Sequence, residues 1–153
     1  MNAELINPFL KAVIEVLSTM ARIEAKPGKP FVKKDKVARG DVTGMVGLAG
    51  KQLKGSLALS FSEKAILQIA TGMLGEPIDQ VDDSIADMVG EITNMVTGIT
   101  KKILSEKGYK FEMAIPTTII GKNHSLTHKT SGPVIIIPFT VEAGEFFVEV
   151  CFE

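Results

Sequence analysis

Three polar side chains, Asp87, Glu91 and Asn94, follow one another at steps of four and three residues. On a helix that spacing sets them in one line along one face. A carboxamide accepts and donates hydrogen bonds without carrying charge, whereas a carboxylate only accepts, and pairs with cations. Gly90 and Gly98 lie one turn to either side of Asn94 and flank the line. A glycine inside a helix costs about 0.5–1 kcal/mol against alanine, so two of them imply close approach by something: a second element of the fold, or a partner. Taken as residues alone, the row is also explained as a solvated face. Asp87 would then favour the helix N-terminus electrostatically, and the glycines would admit a strand of the same molecule.

The elements that must hold this row can be read from periodicity. Residues 84–106 form a long helix whose other side is apolar, with Ile85, Met88, Val89, Ile92, Met95, Val96, Ile99, Ile103 and Leu104. Gly108 closes it. Residues 3–22 form another, with Leu5, Phe9, Ala12, Val13, Val16, Leu17 and Met20 on one face. Pro8 suits a first turn, which would start the regular helix near Asn7. Ser62 caps a third helix that ends at Gly75. Residues 42–48 and 53–61 read as a hairpin, and 110–115, 117–121, 134–141 and 146–152 as further strands. Pro133 and Pro138 place the strand at 134 on an edge or bend it. Lys33, Lys34 and Lys36 read as a solvated loop or edge strand. The expected fold is α+β, a single domain over 1–153, with helices against a mostly antiparallel sheet.

Composition narrows the function classes. With 153 residues, 45% hydrophobic and 23% charged, the chain is neither disordered nor long enough for two comfortable domains. Its net charge of −1 disfavours nucleic acid, which calls for a basic stripe. No window offers about 18 uninterrupted apolar residues, so no membrane span is expected. One cysteine, Cys151, and no signal-peptide pattern point to a cytoplasmic protein with a buried, inert thiol. His124 and His128 have no third ligand at a recognisable spacing, so they read as solvated residues and no metal site is expected. Gly44, Gly47 and Gly50 lack the Lys-Ser/Thr ending of a phosphate loop. No Ser-His-Asp arrangement is visible.

The stretch Asp87-x-x-x-Glu91-x-x-Asn94, followed about twenty residues later by Pro116, resembles the signature of the CheC/CheX/FliY family of phosphatases. The likeness extends through Gly90-Glu91-Ile92-Thr93-Asn94-Met95-Val96-Thr97-Gly98 and Ala114-Ile115-Pro116-Thr117-Thr118-Ile119-Ile120-Gly121. The strand at Gly55-Ser56-Leu57 and the helix end at Met73-Leu74-Gly75 share it, and the CheX branch is nearest. Members with two active sites carry the motif twice. Here Glu4-Leu5-Ile6-Asn7 is a second Glu-x-x-Asn without an upstream acid, and reads as a remnant of duplication or as chance.

The resemblance implies an enzyme that hydrolyses the aspartyl phosphate of a CheY-type receiver domain in chemotaxis. The chain would need no cofactor of its own, since the receiver holds Mg²⁺. It implies that Asn94 places the attacking water and Glu91 contacts the receiver's lysine. Asp87 would support that surface, Pro116 would shape the strand after the helix, and Gly90 and Gly98 would let the receiver's loops reach the helix. It also implies a homodimer, formed through sheet edges. Two other readings fit the same residues: a non-catalytic homodimeric adaptor that docks receiver domains, and a phosphatase for a response regulator outside chemotaxis.

Overall fold

Alternating apolar residues and tight turns fold this chain around one antiparallel sheet, described here from a computed structural model over residues 3–51, 53–128 and 132–153. In order, the elements are α1 (Ala3–Ala21), β1 (Lys26–Pro27), β2 (Phe31–Val32), β3 (Val42–Ala49), β4 (Lys54–Phe61), α2 (Glu63–Leu74), α3 (Asp83–Glu106), β5 (Glu112–Met113), β6 (Thr117–Ile120), β7 (Val134–Val141) and β8 (Gly144–Phe152). The strands run β1-β7-β8-β4-β3-β5, with β2 also pairing β7 and β6 also pairing β3. Every ladder between the described strands is antiparallel, in line with the expected mostly antiparallel sheet.

The helices cover one face of the sheet, and α1 packs on both α2 and α3. Phe9, Leu17, Leu57, Ile66, Ile69, Ile92 and Phe146 are among the side chains sealed between the layers. The rings of Phe61, Phe146 and Phe139 stack in series, with centroids 5.0 and 4.9 Å apart. Burial on this scale is the main stabilising term of the fold, at about 1.5–3 kcal/mol for each large aliphatic or aromatic side chain.

Local signals set most element ends. The Ser62 hydroxyl accepts from Ala65 N, and Gly75, at φ 72°, donates to Thr71 O. Asp82 caps α3 by accepting from Ser84 N and Ile85 N. In three places the structure departs from expectation. The first helix spans Ala3–Ala21, close to the expected 3–22, but its regular part does not wait for Asn7: Pro8 lies inside it and is buried. Its missing N–H costs a single bond near the end, and its ring joins the core. Arg22 then adopts φ 57° and lets Ile23 N donate to Leu17 O, which ends α1 before the Pro-Gly segment.

The second departure is β7, which is not an outermost strand. Its outer side meets only β1, at Phe139 and Thr140, and β2, at Ile135 and Ile136. Pro138 falls in the gap between them, where no ladder bond needs its absent N–H, while its carbonyl accepts from Gly28 N at 2.7 Å. The third is Lys33, which is no solvated lysine. Its side chain is 2% exposed, and its Nζ lies 2.9 Å from both carboxylate oxygens of Glu149.

Candidate active site on the outer face of the long helix

The position of the Asp87–Glu91–Asn94 row is set from the buried side of α3. Gly44 on β3 faces Thr93, and a Cβ there would collide with the Thr93 hydroxyl. That hydroxyl is fully buried and donates to Val89 O at 2.7 Å. Thr97 and Thr100 repeat the pattern, donating to Thr93 O and Val96 O. Small side chains whose polar atoms are satisfied within the helix let α3 settle close against β3. Its opposite face is then left to solvent.

On that face Asp87, Glu91 and Asn94 are all exposed. Together with Ala86, Gly90, Pro116 and Thr118 they line a shallow depression of about 270 Å³. One wall is α3 and the other is the start of β6. The two meet where a Cβ on Gly90 would lie 3.3 Å from the Thr118 methyl group. Gly90 is therefore approached by a strand of its own chain. Gly98 differs, because nothing lies within 4 Å of a Cβ placed there. It opens instead onto a groove of about 330 Å³ between α1 and α3, lined mainly by Val16, Met20, Met95 and Ile99. The structure thus brings five of the six residues singled out on sequence around one depression and sets Gly98 beyond it.

Thr118 was not among them. Its register opposite Gly44 is the signal that could have found it, because that register puts it on the helix side of the sheet. Glu4 and Asn7 are exposed in the first turns of α1. The two histidines are not solvated: His124 Nε2 meets the Thr43 hydroxyl at 2.7 Å, and His128 Nε2 meets Glu149 at 3.1 Å. No group of three or more His, Cys, Asp or Glu suited to a metal ion occurs among the described residues.

An exposed Glu-x-x-Asn row, a proline-led strand beside it and a shallow open depression suit contact with another macromolecule better than capture of a small molecule. Comparison with known proteins agrees. The family model described as chemotaxis phosphatase CheX matches residues 42–140, which span the whole depression. The chain belongs to the CheX family. Membership makes it a phosphatase, a hydrolase. The CheY-P phosphatase CheX of Thermotoga maritima is 28% identical over 148 residues, covering 96% of this chain and 94% of that protein. A solved CheC-like superfamily protein from Shewanella sp. PV-4 is 52% identical, with a TM-score of 0.94 over 100% of this chain and 99% of the other. CheX from Borrelia burgdorferi, solved in a CheX–CheY–BeF3–Mg²⁺ complex, is 28% identical, with a TM-score of 0.81 and 97% of each chain covered. These likenesses carry the CheX fold across essentially the full length of the chain.

Proposed function

We propose that this CheX-family protein removes the phosphoryl group from the aspartyl phosphate of a CheY-type receiver domain in chemotaxis. The observation that carries the reading is the convergence of Asp87, Glu91 and Asn94 with Pro116 on one open depression. The Thermotoga relative's name and the Borrelia complex support the choice of partner.

An aspartyl phosphate is a reactive mixed anhydride, so catalysis is mostly the placing of a water in line with the bond that breaks. The Asn94 carbonyl oxygen accepts a hydrogen bond from that water. Its NH₂ can donate to the receiver, and neither adds negative charge beside the phosphoryl oxygens. Glu91, one turn earlier, pairs with the lysine of the receiver's active site and orients the docked helix. Asp87 supports the same surface. Gly90 keeps the wall low where Thr118 closes it, and the open side of Gly98 leaves room for the receiver's loops. Mg²⁺ belongs to the phosphorylated receiver, and this chain supplies no cofactor. The chain acts in the cytoplasm as a homodimer, joined through sheet edges.

The test is the decay of a phosphorylated CheY-type receiver with catalytic amounts of the protein. Wild type accelerates decay, and Asn94→Ala loses at least about tenfold of that acceleration, the low end of what a positioning group contributes. Full activity in Asn94→Ala removes the assignment. Binding of the receiver without faster decay in the wild type favours an adaptor.

A further inference from the structure

On the sheet face turned away from the helices, three side chains from distant parts of the chain make a hydrogen-bonded series: Ser56 on β4, His128 in the segment after β6, and Glu149 on β8. Ser56 Oγ meets His128 Nδ1, and His128 Nε2 meets Glu149 Oε1 at 3.1 Å. All three are at least nine-tenths buried: Ser56 is 5% exposed, and the His128 and Glu149 side chains 3% and 0%. Lys33 holds both oxygens of Glu149 at 2.9 Å in an ion pair, and an ionised carboxylate only accepts. A neutral His128 therefore carries its proton on Nε2 toward Glu149 and turns the lone pair of Nδ1 to Ser56. The serine hydroxyl donates to a base that a carboxylate holds in place, which is the arrangement that activates a nucleophile.

The serine also has an approach. It lines a cavity of about 340 Å³ whose other walls include Met45, Ile115, Ile119, Thr117 and Thr127. Gly47 sits directly opposite Ser56 across the β3–β4 ladder and also lines the cavity. Nothing lies within 4 Å of a Cβ placed on Gly47, so the space beside the hydroxyl is kept open by the lack of a side chain. Thr117 and Thr127 bring two further hydroxyls to the wall of the same cavity.

We propose that Ser56, His128 and Glu149 form a second reactive centre, separate from the depression on α3, that accepts the acyl group of small uncharged esters. Ser56 Oγ bonds to the carbonyl carbon, and the ester C–O bond breaks. The serine proton passes to His128 Nδ1 and from there to the leaving alkoxide, which departs as the alcohol. Water then attacks the acyl-serine and gives its proton to His128. That proton returns to Ser56 Oγ as the carboxylic acid leaves. Glu149 orients the imidazole throughout, and Lys33 orients Glu149.

The experiment uses p-nitrophenyl acetate as the probe, with release of p-nitrophenol followed by absorbance and the acetyl group located by peptide mass spectrometry. The wild type is expected to carry acetyl on Ser56. Ser56→Ala abolishes that product, and His128→Gln slows it at least about a hundredfold, the low end for a general base. Gly47→Leu fills the approach and suppresses labelling without touching the three residues, which covers the case in which the histidine variant fails to fold. Receiver dephosphorylation, which depends on the other face of the sheet, is unchanged in Ser56→Ala and Gly47→Leu. Nitrophenol release with acetyl only on surface lysines overturns the proposal. So does acetylation of Ser56 at the wild-type rate in a folded His128→Gln protein.

Discussion

At the residue scale, the role proposed for Asn94 turns on the absence of charge. A carboxamide and a carboxylate have nearly the same shape, and both accept a hydrogen bond from water. Only the carboxylate brings a full negative charge toward a phosphoryl dianion. Asn94→Asp is therefore expected to dephosphorylate the receiver no better than Asn94→Ala. Receiver decay measured at two salt concentrations would show the aspartate variant gaining on the alanine variant as salt rises, since screening relieves the added repulsion while its effect on docking is common to both. The three residues of the row were legible in the sequence because helical spacing alone aligns them. Thr118 was not, because its place beside Gly90 depends on the register of β6 against β3.

At the scale of elements, α3 delivers the row and its N-terminus fixes where the row begins. The hydrogen bond from the Ser84 hydroxyl, followed by those from the Ile85 and Ser84 backbone, holds the Asp82 carboxyl below its ordinary value of 3.8. A carboxyl with a lowered folded value stabilises the fold above the unfolded value, and that contribution is lost as pH falls through the folded one. Asp82→Ala should therefore lower the melting temperature at neutral pH. Its deficit against wild type should shrink as the medium is acidified below about pH 3.8. A calorimetric series from pH 7 to pH 3 checks the sign, and a deficit that does not change with pH contradicts it. The caps of α2 could be read from Ser62 and Gly75, because capping chemistry is local, whereas Asp82 stands among several acidic residues before α3 and the structure picks it out. The span of α1 could be read from its apolar face, but Pro8 pointed to a later regular start, near Asn7, than the one it has. Its core face extends past Pro8 toward the N-terminus and outweighs the one bond the proline loses.

At the scale of the whole molecule, the two faces of the sheet have different characters. The helix face is an apolar core, and the other carries the Lys33–Glu149–His128–Ser56 series. Removing one member of a buried ion pair strands its partner's charge, at a cost of about 3–5 kcal/mol. Lys33→Met should cost that much in denaturant-induced unfolding, and Lys33→Met with Glu149→Leu should recover most of it. A single variant as stable as wild type would show that the pair is hydrated in solution. The sheet's edges carry the assembly prediction. Phe31 and Val32 on the short outer strand β2 are 42% and 52% exposed. Light scattering on the purified protein is expected to give twice the chain mass of 16.5 kDa, and a monomer at all concentrations contradicts the proposed dimer.

The sequence by itself determined what local geometry can encode: the long helix, its apolar stripe, the line of Asp87, Glu91 and Asn94, and the capped ends of α2. Each depends on residues within a turn or two of one another, where helical periodicity and hydrogen-bonding caps act without reference to the rest of the chain. Tertiary structure alone decided that β6 walls the depression, that Gly98 faces open space, and that Lys33 and His128 are drawn in around Glu149. Those contacts join positions 116 and 21 residues apart. Two lysines with the same local sequence signal, Lys33 and Lys34, end on opposite sides of the boundary between core and water. The reason is that a strand's pairing partner, and so the charge it meets, is set by the register of the sheet and by nothing within reach of the residue itself.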